Sequence, residues 1–192
     1  MRIFTTLLAA IALVVLAVPA NAQVKIGETV PAFSKLPGTL GGKKDITMSS
    51  SDFKGKVTAL IITCNHCPVA VRYEPKIVRL AGQYAKNDKV AVVAINVNNL
   101  EADKLPAMKV RAQARNFNFP YLYDESQQIA RKLGARVTPE FYVIGADGKL
   151  VYHGAMDGKG TNYVSAAIDA ALSGETPKTQ STRAFGCSVK FD

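Results

Sequence analysis

Cys64 and Cys67 stand two residues apart in Thr63-Cys64-Asn65-His66-Cys67-Pro68. A helix beginning at such a pair brings both sulfurs within reach of a short disulfide ring. The spacing predicts Cys64 exposed at the helix N-terminus, where unpaired backbone N–H groups and the helix dipole favour negative charge. Thiolate is the reactive form, so the Cys64 pKa is expected to be depressed. Cys67, a turn deeper, is expected to be the buried resolving thiol. His66 can donate to the Cys64 thiolate and, when protonated, add positive charge, which makes the couple more oxidising. It can equally be a solvent-facing spacer. Rival chemistries differ in their fit. A zinc site needs about four ligands, and beyond this motif only Cys187 and His153 exist, with no second Cys-x-x-Cys. Copper held by Cys64, Cys67 and His66 is chemically reasonable, because thiolates suit Cu(I). A purely structural bridge would stabilise little, because the loop it closes is tiny.

The elements around the motif predict how it is held. Lys56 to Thr63 is β-branched and almost wholly apolar, the pattern of a central strand buried on both faces. Pro68 suits the first turn of the following helix. Ile77, Leu80, Ala81 and Tyr84 form its buried stripe, and Pro75 is expected to kink or divide it. Phe33 to Leu36 and Lys44 to Thr47 suggest a small hairpin, and Ser50 to Phe53 a turn or helical start. Val90 to Val97 is a second buried strand, Leu105 to Asn116 a helix and Phe119 to Tyr123 a short strand. Asp124 to Leu133 is predicted helical, with Asp124 and Gln127 as a near capping box and Gly134 as the stop. Phe141 to Ile144 and Leu150 to His153 flank Ala146-Asp147-Gly148, a hairpin turn that places His153 on a strand. Thr161 is expected to cap a last helix to about Leu172. Strands alternating with helices predict a mixed sheet with helices on both faces. The Cys-x-x-Cys then lies at the carboxyl end of a strand, where open α/β sheets place their chemistry.

Residues 1–22 read as a secretory signal. Arg2 gives a positive start, Leu7 to Val18 is an apolar run of 12 residues, and Ala20-Asn21-Ala22 fits a cleavage site. Such a run is too short to span roughly 30 Å of hydrocarbon. Residues 23–174 are expected to form one domain, and 175–192 a tail. The mature chain is expected to be exported without stable membrane insertion, and periplasmic in a Gram-negative host. Export favours paired or redox-active thiols. The net charge of +9 comes from scattered basic residues, which point to a solvated surface and not to nucleic acid. Dispersed Gly and Pro exclude collagen-like and disordered classes, and no phosphate-binding loop, dinucleotide fingerprint or nucleophile elbow is present.

A strand, TCNHCP, a helix, then Val137-Thr138-Pro139-Glu140 before a strand, the Gly148 hairpin and a final helix together resemble the thioredoxin superfamily. With the Gly186-Cys187-Ser188-Val189-Lys190-Phe191 ending, the chain more narrowly resembles exported thioredoxin-like redoxins related to AhpC/TSA. The resemblance covers about Val24 to Asp192. It implies a thioredoxin-like three-layer α/β/α sandwich with a mixed central sheet. It implies that Pro139 is a cis-proline opposite the Cys-x-x-Cys, and that Thr138 offers its backbone to a substrate cysteine. An x-Pro bond tolerates cis far better than other peptides.

Several positions depart from the family pattern. Thr63 replaces the usual Trp, and the chain has no Trp. Thr58 stands where thioredoxins bury an acid. Ile61 stands three before Cys64, where peroxide-reacting relatives carry Thr or Ser. Cys187 reads either as a second resolving thiol or as a small packed residue or free thiol. From Leu172 its reach is roughly 50 Å at about 3.3 Å per residue. The expected function is thiol–disulfide exchange by Cys64 and Cys67 on protein or small-thiol substrates, with an electron donor or acceptor and no cofactor or resident metal. The alternatives are a thiol peroxidase and a non-enzymatic copper-binding protein.

Overall fold

The computed structural model describes residues 23–192, so the expected signal at 1–22 lies outside the described residues. In chain order the main elements are β1 (Leu36–Leu40), β2 (Lys44–Met48), β3 (Val57–Thr63), α1 (Pro68–Tyr84), β4 (Val90–Asn96), α2 (Leu105–Ala114), β5 (Pro120–Tyr123) and α3 (Gln128–Leu133). They are followed by β6 (Val137–Thr138), β7 (Glu140–Ile144), β8 (Leu150–Gly154), β9 (Asp157–Gly158), β10 (Thr161–Asn162), α4 (Tyr163–Leu172) and β11 (Cys187–Ser188). Seven strands form one sheet in the order β2-β1-β5-β4-β3-β7-β8. The β3–β4 and β4–β5 pairs are parallel and the outer pairs antiparallel, which makes the sheet mixed as expected.

β3 is buried along its whole length, and its alternation divides the core. Val57, Ala59 and Ile61 join the residues of α1, α2 and α4 on one face. Leu60 and Ile62 join Ile129, Ala130 and Leu133 of α3 on the other, where the N-terminal segment adds Val24, Ile26 and Phe33. A fully buried Leu or Ile contributes about 1.5–3 kcal/mol, so a one-residue slip of β3 would exchange both faces at a cost the fold cannot sustain. The sheet is thereby covered on both faces, three helices against one.

Four local expectations are corrected. Pro75 does not divide α1, which runs as one helix from Pro68 to Tyr84. A proline there loses its own N–H bond, and the buried stripe of Ile77, Leu80, Ala81 and Tyr84 holds the helix on the sheet. α3 starts at Gln128 because Gln127 takes a left-handed φ of 58°. Asp124 serves the helix from outside by accepting the Ile129 N–H at 2.8 Å. α4 is capped by Asn162 and not Thr161, its side chain accepting from Ser165 N–H at 3.0 Å. Residues 175–192 do not trail away. Gln180 and Thr182 exchange backbone hydrogen bonds with His153 on the edge strand β8, and β11 then pairs with β6. Among the described residues no helix is long and apolar enough to cross a membrane.

Candidate functional site

β3 ends at Thr63, and Cys64 follows it at the carboxyl edge of the sheet. Cys67 is the N-cap of α1, with Pro68 at the first helical position. The bond between Thr138 and Pro139 is cis, and it joins β6 to β7 beside this junction. Glu140, buried just after it, accepts the Arg136 N–H at 3.0 Å and so ties the turn that presents Thr138. The three cysteines and Thr138 meet here. Cys64 Sγ lies 3.3 Å from Thr138 Oγ1, and Cys67 Sγ lies 3.2 Å from the Thr138 carbonyl oxygen.

The pairing differs from the short ring that the spacing suggests. Cys67 is bonded to Cys187 across a Cα–Cα distance of 6.0 Å, and Cys64 is a free thiol. β11 brings Cys187 there by antiparallel pairing, Cys187 opposite Thr138 and Ser188 opposite Val137. Cys187 is therefore not a free thiol, although it also packs against Cys64, Cys67 and Ala70.

Cys64 also departs from its expected state. It is only 2 % exposed, and its pKa is raised, not depressed. Burial is the main cause, since it penalises the thiolate. The Thr138 hydroxyl works in the opposite direction, and the nearby Asp103 carboxylate adds to the rise. The helix N-terminus does not overcome this desolvation.

The His66 ring lies within 4.8 Å of the Cys64 sulfur, but no hydrogen bond joins the two. The ring Nδ1 instead pairs with Asp103 Oδ2. Asp103 is fully buried in the short 3-10 turn Glu101–Asp103 after β4. Its Oδ1 accepts the Asn65 N–H at 2.6 Å and the His66 N–H at 3.3 Å. A buried carboxylate needs such donors, and here they are the backbone of the loop between the two cysteines. The loop is held further by Asn65 donating to Ala102 O at 2.7 Å and accepting from Tyr121 Oη at 2.9 Å. Asn96, at the end of β4, donates to Asp103 O at 2.8 Å. Asp103, Asn65, Asn96 and Tyr121 escaped the sequence reading. The one signal for Asn96 and Asp103 is that polar residues return where an apolar strand ends, at Asn96, Asn98, Asn99, Glu101 and Asp103; Asn65 and Tyr121 carry none.

The donor atoms of Cys64, His66 and Asp103 lie within 4.8 Å of one another, the one such group found among the described residues. This is not the expected copper set, because Cys67 is bonded to Cys187 and a carboxylate takes its place. Carboxylates suit harder ions than Cu(I), and Asp103 is already supplied with donors. Tyr73 and Glu74 serve structure: Tyr73 donates to Asp157, and Glu74 pairs with Arg111 at 2.7 Å. Thr58 is a buried strand residue whose hydroxyl donates to Lys56 O at 3.3 Å, and His153 is a half-buried residue of β8.

Comparison with known proteins places this geometry. Residues 26–153 match the AhpC/TSA family. The structure is similar to an uncharacterized conserved protein from Geobacillus kaustophilus, at 32% identity and a TM-score of 0.79, over 92% of this chain and 98% of that one. It is similar to a hypothetical protein from Sinorhizobium meliloti 1021, at 28% identity and a TM-score of 0.77, over 90% and 97%. A thiol:disulfide interchange protein of the thioredoxin family from Chlorobium tepidum TLS shares the fold, with 19% identity and a TM-score of 0.60 over 79% and 99%. No curated protein matches the chain. The architecture is thioredoxin-like, and the centre is one of thiol-based redox chemistry.

Proposed function

Because the chain belongs to the AhpC/TSA family, we propose that it is an exported thiol–disulfide oxidoreductase working through Cys64 and Cys67. The observation that carries the reading is the convergence of both sulfurs on Thr138, beside a cis-proline, at the carboxyl end of a central strand. Cys64 attacks one sulfur of a substrate disulfide and releases the other as a thiol. Cys67 then attacks the mixed disulfide, and the substrate leaves reduced while Cys64 and Cys67 become bonded. The reverse sequence oxidises a substrate dithiol. The sulfurs carry both electrons, so the exchange needs no organic cofactor.

Cys187 acts as a second resolving thiol that takes over the bond to Cys67. His66 and Asp103 fix the loop between the reacting cysteines. The leader at 1–22 supports export, to the periplasm in a Gram-negative host. The partners are protein or small-thiol substrates and an electron donor or acceptor. Ile61, three before Cys64 where peroxide-reacting relatives carry Thr or Ser, favours this reading over a peroxidase.

The test is insulin reduction with dithiothreitol as the electron source. Wild type accelerates it and Cys64→Ser does not, whereas Cys67→Ser accumulates mixed disulfides. Equal rates for wild type and Cys64→Ser overturn the reading.

A further inference from the structure

The tail pairs antiparallel with β6, the edge that the proposed exchange offers to a substrate, and it fits that edge closely. Gly186 sits so near Thr138 that a Cβ on it would stand 2.1 Å from the Thr138 carbonyl oxygen. Val189 is buried among the residues of one core face, and its N–H donates to Arg136 O at 3.0 Å. Lys190 N–H donates to Asn98 Oδ1 at 3.1 Å, and its carbonyl accepts from Gln127 Nε2 at 2.7 Å. Asp192 N–H donates to Gln127 Oε1 at 2.9 Å. Asn98 and Gln127 are themselves buried, so these are fixed polar receptors and not chance surface contacts.

Two consequences follow for Cys64. Cys187 packs against the buried cluster that holds it, so no second chain reaches its sulfur while the tail is docked. The Thr138 hydroxyl donates to the Cys187 carbonyl at 3.5 Å and lies 3.3 Å from Cys64 Sγ. A hydroxyl has one proton. The tail and the Cys64 sulfur therefore compete for it, and either atom can donate across the Cys64–Thr138 contact. When the tail leaves, the hydroxyl is free to turn towards a thiolate.

We propose that residues 186–189 are a resident occupant of the substrate edge, and that Cys64 opens this edge by displacing Cys187 from Cys67. The proposal rests on the exchange reading above and adds to it a gate. In the step, the Cys64 thiolate attacks Cys67 Sγ. The Cys64–Cys67 bond forms as the Cys67–Cys187 bond breaks, and Cys187 leaves as a thiolate that takes up the proton Cys64 gave up. No electrons enter or leave. The released edge, Val137–Thr138, then accepts an extended segment resembling the tail. Such a segment has a glycine before its cysteine and a β-branched apolar residue two positions after it.

The experiment starts from the oxidised full chain, treated with iodoacetamide over a range of pH without reductant and mapped by peptide mass spectrometry. The expected map shows Cys187 labelled together with a Cys64–Cys67 disulfide, more so as pH rises. In Cys64→Ser, Cys187 is expected to stay unlabelled. A map in which Cys64 is the sole labelled cysteine at every pH overturns the displacement. The gate is read separately in Val189→Asp and Gly186→Val, each folded by circular dichroism. Both weaken docking and leave all three sulfurs in place. Insulin reduction is expected to rise by roughly tenfold, as it does when an occupant that fills a site most of the time is removed. An unchanged or lower rate overturns the gate. Loss of the exchange reading itself shows differently, as equal insulin reduction by wild type and Cys64→Ser.

Discussion

The two ends of β3 could hardly differ more. At its start, around Lys56 and Thr58, a cavity of about 510 Å³ opens between the N-terminal segment and the β7–β8 turn, walled by Val30, Phe33, Phe53, Leu60, Ile129 and Ile144. No cysteine or histidine lines it. At its far end stand the cysteines, a buried carboxylate and a net of short hydrogen bonds, with the chain's own tail filling the space. The hollow therefore offers none of the sulfurs that the proposed exchange needs. Pockets of this kind are the usual first guess for a site, but sulfur exchange needs a strand edge and a few aligned atoms, and this edge is already occupied.

The sharpest way to break the contrast is to remove the nucleophile. Cys64→Ser is expected to abolish disulfide exchange, measured as insulin reduction, while urea unfolding of the oxidised protein shifts little because Cys67–Cys187 is intact. Next in size is Cys187→Ser. The bridge spans a sequence separation of 120, and losing it is expected to destabilise the fold by about 2–4 kcal/mol in urea. Asp103→Ala leaves the buried N–H groups of Asn65 and His66 without an acceptor and is expected to cost about 2 kcal/mol.

The same substitution sharpens the electrostatic side. Burial first and Asp103 second raise the Cys64 pKa, so wild-type alkylation is expected to be slow at neutral pH and to rise only above the ordinary thiol range of about 8.5. In Asp103→Ala the profile is expected to move to lower pH. The folded state holds the Cys64 proton longer than the unfolded chain does. Cys64 therefore penalises folding little at neutral pH, and stability falls as pH rises past the unfolded thiol's pKa. A profile for Asp103→Ala that moves upward would count against the assigned role. The smallest effect is at the cavity end. Thr58→Val removes one hydroxyl that bonds only its own strand's entry, and is expected to cost under about 1 kcal/mol and leave exchange unaltered.

Much of this architecture was legible in the residues. β3 and β4 declare themselves as continuous apolar runs, the Ala146-Asp147-Gly148 turn marks the β7–β8 hairpin, and Pro68 marks the start of α1. Pro139 was reached through family likeness and is cis in the structure. What stayed hidden depends on distant parts of the chain meeting. Three cysteines do not state their connectivity, and nothing local links Cys187 to Cys67. Asp103 lies far from the motif in sequence, and only the fold brings it under the loop, where it takes His66. The Cys64 pKa was misjudged because a helix N-terminus is visible in a sequence, whereas the burial that opposes it is not. Gln127 reads as part of a capping box, but its left-handed backbone delays α3 and directs its amide to the tail.

One further contact sets how far the gate can swing. Thr182 is clasped to the sheet by its N–H on His153 O at 3.1 Å and by its hydroxyl, which takes the Ala155 N–H at 2.9 Å. Only four residues separate this clasp from Cys187, five steps of chain and a leash of about 17 Å at full stretch. A liberated Cys187 thus stays near its old mate, at an effective concentration on the order of millimolar. Rebinding is intramolecular and quick, and an incoming strand must win a race against a tethered rival.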